Sequence, residues 1–112
     1  MKRKFLLLAM YRAMDCLYDE QDRSSDELTL FLSDLNPYTW QERTSADPAL
    51  QADFDNFLDK QNICAEVDEE VAYYAVKNFL AEQNKKFVEM FEDISLDEWK
   101  KLCEIITDEE KR

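Results

Sequence analysis

Glycine and histidine are both absent from the 112 residues, and proline occurs only twice. Tight hairpins and phosphate-binding loops lean on glycine for positive φ. Without it there is no P-loop and no dinucleotide fingerprint. A β-rich or nucleotide-binding fold is therefore hard to build from this alphabet, whereas helices are not. The missing histidine removes Ser-His-Asp and Cys-His nucleophile systems and every histidine-containing metal motif. Cys16, Cys64 and Cys103 are scattered, form no CxxC, and fall short of a four-cysteine zinc site. The acidic stretch at residues 59–70 lacks the glycine and the ligand spacing of an EF-hand.

Long apolar runs are missing too. The longest stretch near the start, residues 5–10, is interrupted by Tyr11 and Arg12. It is too short for a signal-peptide core, and no small-residue cleavage site follows. No segment approaches the ~20 apolar residues of a membrane span. These features predict a cytoplasmic protein that does not enter membranes. The odd cysteine count predicts reduced, buried thiols. Only carboxylate chemistry remains available, and 26 acidic residues cluster by chance. The expectation is a protein that is not an enzyme, with no catalytic or metal-ligating residues and no cofactor.

What the chain does have is apolar content and negative charge. Hydrophobic residues make up 46%, too many for a disordered acidic tail. The length is that of a single domain, here residues 1–112. The net charge is −12. Residues 15–70 hold 16 acidic and 3 basic side chains, while the remainder holds 10 acidic and 11 basic. The excess is thus confined to one segment. A one-signed field attracts cationic surfaces and repels nucleic acid and anionic membrane. The basic ends, Lys2-Arg3-Lys4 and Lys111-Arg112, have no interleaved aromatics and read as solvated termini.

Apolar periodicity predicts an all-α bundle of five to six helices. The first covers about residues 2–20, with Leu6, Met10, Ala13, Met14 and Leu17 on one face. Ser24 and Glu27 have capping-box spacing for the second, which buries Leu28, Phe31, Leu32 and Leu35 and ends before Pro37. Asp47 and Pro48 open the third as cap and first helical residue, with Leu50, Phe54, Phe57 and Leu58 inward. Asp68, Glu69 and Glu70 open the fourth at its positive dipole end. Its period continues past Asn84, as one helix or two. Ser95 and Glu98 form a second capping box, with Ile94 and Trp99 at staple positions.

Several features suit binding. Asp55 and Asp59 are four apart on the third helix, opposite Phe54 and Phe57, and like charges there repel. Cations on a partner would relieve them; a merely solvated face is the alternative. Tyr73 and Tyr74 cannot both face the core, because successive helical residues turn by about 100°. Tyr74 points away, with Glu70 and Asn78 as neighbours, and resembles a binding hot spot. The other option is that Tyr74 and Val71 pack against a second helix. Tyr38 and Trp40 are large for a loop; they either pin it to the core or extend the acidic surface.

The segment SDLNPYTW, followed by SADPALQADFDNFL, resembles small helical bacterial immunity proteins of contact-dependent growth-inhibition and polymorphic toxin systems. Asn36-Pro37-Tyr38, residues 45–49, and Phe54 with Phe57 carry the resemblance, over about a quarter of the chain. It implies a protein that neutralises a cognate toxin, commonly a nuclease. The acidic tandem-tyrosine surface is also similar in kind to that of colicin-nuclease immunity proteins. The expected partner is a basic toxin domain, with no direct contact to nucleic acid, and the chain is expected as a monomer or weak homodimer. The residues expected near the interface are Asp53, Asp55, Asp59, Glu66, Asp68, Glu69, Glu70 and Tyr74, with Tyr38 and Trp40 as outliers. Two other classes stay open: a nucleic-acid mimic that blocks a DNA-binding protein, and a structural or adaptor subunit that associates through Leu8, Leu30 and Tyr74.

Overall fold

A short backbone pairing sets where the first helix begins. The Arg3 amide donates to the Ala65 carbonyl at 2.8 Å, and the Val67 amide donates to Met1 at 2.8 Å. This forms an isolated antiparallel bridge between Lys2 and Glu66. A single 3-10 turn, Arg3–Phe5, follows. The computed structural model describes residues 1–21, 26–39 and 43–110. Its helices are α1 (Leu6–Gln21), α2 (Asp26–Leu35), α3 (Pro48–Lys60), α4 (Glu69–Gln83), α5 (Lys85–Phe91) and α6 (Leu96–Glu110). The protein is all-α. The first helix therefore starts four residues later than its periodicity suggests, because residues 1–3 are committed to pairing.

α1 is the central element and packs against α2, α4, α5 and α6. Leu6, Leu7, Leu8, Ala9 and Met10 are all buried. The first turns are covered on every side, not along the single stripe expected. Each such side chain contributes about 1.5–3 kcal/mol through burial. Leu8 accordingly presents no apolar surface for self-association.

Aromatic contacts join the outer helices. Phe54 and Phe57 of α3 both meet Phe79 of α4, with ring centroids 4.9 and 5.5 Å away. Tyr73, Phe91 and Trp99 bring α4, α5 and α6 together at 5.3–6.1 Å. Such pairs add a preferred geometry to simple area burial.

Helix ends follow local chemistry. Asp47 caps α3 by accepting from the Ala49 amide at 2.9 Å. Ser95 and Glu98 exchange reciprocal bonds of 3.1 Å, completing the expected box at α6. Ser24, expected to cap α2, lies outside the described residues. Asn84 resolves the long fourth period into two helices. Its backbone is extended, with φ −166° and ψ 127°, and its side chain accepts from the Lys86 amide to start α5.

Among the described residues, the lack of glycine shows at two positive-φ positions, Arg43 at 59° and Asn62 at 58°. Asn62 ends α3: its amide reaches Asp59, while the Ile63 amide reaches Leu58. This is a Schellman closure, and asparagine tolerates its left-handed residue better than other side chains do. Ile63 and Leu58 are both buried behind it. Among the described residues, no helix is long and apolar enough to cross a membrane.

Candidate protein-binding surface

α4 carries the strongest binding feature. Tyr73 is buried and its hydroxyl donates to the Ile94 carbonyl. Tyr74 is 52% exposed and Val71 49% exposed. The alternative in which Val71 and Tyr74 pack under a second helix is therefore not realised. The two tyrosine rings meet edge to face at 5.5 Å. Glu70 is exposed on the same outer side. The Tyr73 phenol is pushed above its ordinary pKa, first by burial and then by the charges of Tyr74, Glu92 and Glu98. Those two carboxylates, from the α5–α6 junction, thus add to the negative field beside the tyrosines.

Sequence reasoning missed Glu92 and Glu98, because only folding brings that junction against α4. It also missed Lys77. Its ammonium lies 5.4 Å from the Tyr73 ring centroid and 5.9 Å from that of Tyr74. A cation over an aromatic face is favourable by roughly 0.5–1 kcal/mol at an exposed site. The positions most able to attract a partner's arginine already hold a lysine.

The other expected interface residues divide among several places. Asp53 faces a groove of about 370 Å³ between α3 and α4, beside Lys60 and Glu82. Asp55 and Glu66 instead line the opposite side of α3, in a cleft of about 530 Å³. Asp59 pairs with Arg3 at 2.8 Å. The same guanidinium donates to the carbonyls of Ile63 at 2.7 Å and Asp55 at 3.0 Å. The repulsion expected between Asp55 and Asp59 is thus relieved from within the chain.

Glu66 lies 3.9 Å from the terminal ammonium. Asp68 caps α4, accepting from the amides of Glu70 at 2.9 Å and Val71 at 3.4 Å. Its carboxylate is engaged in the fold. Glu69 lines a crevice with Glu104 and Asp108 of α6. Those α6 carboxylates lie outside the segment where charge is concentrated in sequence.

Tyr38 sits elsewhere, 51% exposed. Its ring meets Tyr11 at 6.0 Å and lies 5.2 Å below the Arg43 guanidinium. Arg43 in turn pairs with Glu110 at 2.9 Å. Trp40 lies outside the described residues.

No family model, curated protein or solved structure matches the chain. The surface is therefore interpreted from its own chemistry. Among the described residues, no group of three or more Cys, Asp or Glu could hold a metal ion. What α4 offers is an apolar and aromatic patch bordered by carboxylates, which suits a protein surface with cations around an apolar centre.

The thiols depart from expectation. Cys103 is buried, but Cys16 and Cys64 are exposed, and no disulfide joins the three. Ile63 and Val67 turn inward from the α3–α4 connection, leaving Cys64 outward between them. Cys16 does have the apolar neighbours Ala13, Leu17 and Leu102, but they line an open crevice of about 250 Å³.

Proposed function

We propose that this chain is an inhibitory binding protein of the immunity type, which neutralises a basic toxin domain by forming a direct complex with it. The observation that carries this reading is the exposed Val71–Tyr74 pair on α4, bordered by carboxylates in a chain of net charge −12. A nuclease must carry cations to hold phosphates. An acidic face steers such a protein into contact, and a half-exposed tyrosine supplies an anchor once contact is made. The resemblance around Asn36-Pro37-Tyr38 points the same way. The protein acts in this reading as a 1:1 stoichiometric inhibitor in the cytoplasm, with no catalysis of its own.

The test takes the C-terminal domain of a secreted protein encoded immediately upstream as the candidate toxin and measures association and dissociation over a salt series; absence of any complex with such a domain overturns the reading. Tyr74→Ala is expected to weaken the complex roughly tenfold or more, chiefly by faster dissociation. Glu70→Lys is expected to slow association most at low salt. Asp55→Lys, on the other side of α3, serves as the charge-matched control. Equal affinity for many unrelated basic proteins, lost on adding DNA, would instead identify a nucleic-acid mimic.

A further inference from the structure

Lys77 stands where a partner's cation would land on the tyrosine face. Its ammonium lies 5.4 Å from the Tyr73 ring centroid and 5.9 Å from that of Tyr74, although the two rings meet at an interplanar angle of 78°. One ammonium thus serves both rings. The Lys77 side chain is half-buried, whereas Tyr74 and Val71 are about half exposed, so the outer surface of the patch stays open.

Carboxylates stand close by, yet the rings alone hold the ammonium. Glu70, one turn before Tyr74, is exposed, as are Glu92 and Glu98, whose charges reach the Tyr73 phenol. Among the described residues, no ion pair involves Lys77, Glu70, Glu92 or Glu98. These carboxylates outnumber the ammonium, so the face stays negative around rings that already accept a cation.

We propose that Lys77 is an internal occupant of the Tyr73–Tyr74 rings, and that an arginine of the partner displaces it on docking. A guanidinium is planar, more weakly hydrated than an ammonium, and stacks on aromatic faces. It therefore gives up less water than Lys77 regains on release. Val71 offers apolar contact to the arginine stem. Lys77 sets a threshold, because every cation that docks must outcompete it, and weakly held ones are excluded. Displacement presupposes that a partner uses the tyrosine face, the reading proposed above, whereas peptides test it without the toxin.

The labelled full chain is titrated by NMR with the capped peptide Leu-Arg-Leu, with Leu-Lys-Leu and Leu-Glu-Leu as the other arms. In the free protein the two ring currents should hold the Lys77 Hε protons upfield. Leu-Arg-Leu should shift Val71 and Tyr74 and return those protons toward their ordinary position; Leu-Lys-Leu should bind more weakly. Lys77→Gln should bind Leu-Arg-Leu roughly two- to fivefold more tightly, the equivalent of one exposed cation–π contact, and Lys77→Arg should not. Lys4→Gln removes the same charge from the cleft that Asp55 lines and should change little. Weaker binding by Lys77→Gln overturns the proposal and makes Lys77 a support for Tyr74. An equal gain from Lys4→Gln, shifts at Tyr74 with Lys77 unmoved, preference for Leu-Glu-Leu, or no binding at these residues also overturns it. Displacement of Lys77 alongside a toxin complex indifferent to Tyr74→Ala supports the proposal while overturning the toxin reading of this face.

Discussion

Trp99 donates its indole N–H to the backbone carbonyl of Glu69 at 2.9 Å. The ring is fully buried, so this is its one polar atom, brought to an acceptor on another helix. The bond ties α6 to the first turn of α4, one turn before Tyr74. Trp99→Phe keeps an aromatic ring but loses the donor and leaves a void. The expected cost is about 2 kcal/mol, combining a hydrogen bond with a partial cavity. Urea unfolding should show a lower midpoint with an unchanged slope. A loss below about 0.5 kcal/mol would mean that the neighbouring rings repack without penalty.

Arg3 offers a way to separate charge from hydrogen bonding. Its guanidinium pairs with Asp59, but it also donates to the carbonyls of Ile63 and Asp55. The Asp59 side chain is 67% exposed, so water screens the ion pair, which should contribute less than about 1 kcal/mol. The backbone bonds hold the end of α3 to the start of the chain. Arg3→Ala should therefore cost clearly more than Asp59→Asn, and a double-mutant cycle should give a coupling below about 1 kcal/mol. A coupling equal to the whole Arg3→Ala loss would assign the role to the ion pair instead.

The thiols should react in two classes. Burial pushes the Cys103 thiol up to about 12, with Glu69 adding to the shift, so at pH 8 it is neither ionised nor accessible. Cys16 and Cys64 are exposed. A disulfide reagent added to the native protein should modify two thiols promptly, with the third appearing only after denaturation. Prompt reaction of all three would mean that α6 opens readily from the core.

How much of this was legible beforehand follows from the range of the interactions involved. Asp47 with Ala49, Asp68 with Glu70, and Ser95 with Glu98 bond within three residues, so their spacing alone announces the helix starts. The outward turn of Tyr74 is equally local, since it follows from helical rotation next to a buried Tyr73. The pairing of residues 1–3 with 65–67 has no local signature, yet it decides where α1 begins. The acidic residues also scattered for this reason. Asp53 and Asp55 are neighbours in sequence but line different sides of α3. Glu92 and Glu98 reach the tyrosine face from another helix pair. Charge counting along the chain sees sign and quantity, whereas long-range packing decides which carboxylates share a surface.

Asp15 provides a test of the acidic excess as a cost to the fold. Its carboxyl is raised above the ordinary aspartate value, first by partial burial on α1 and second by repulsion from Asp19. The sign follows directly. A raised folded-state pKa means that the folded chain holds this proton more tightly than the unfolded chain. The contribution to stability is fully present below the unfolded pKa, near 3.9, and is lost as pH rises through the folded value. At neutral pH the ionised group therefore opposes folding. Asp15→Asn removes the ionisation and keeps the shape, so it should raise Tm at pH 7. The gain should shrink as pH is lowered toward 3, where Asp15 is protonated in both states. Added salt should narrow the neutral-pH difference by screening Asp19, leaving the part due to desolvation. Thermal unfolding of both proteins across pH 3–8 checks the sign: a variant less stable than the parent at pH 7 would show that Asp15 is a net favourable charge.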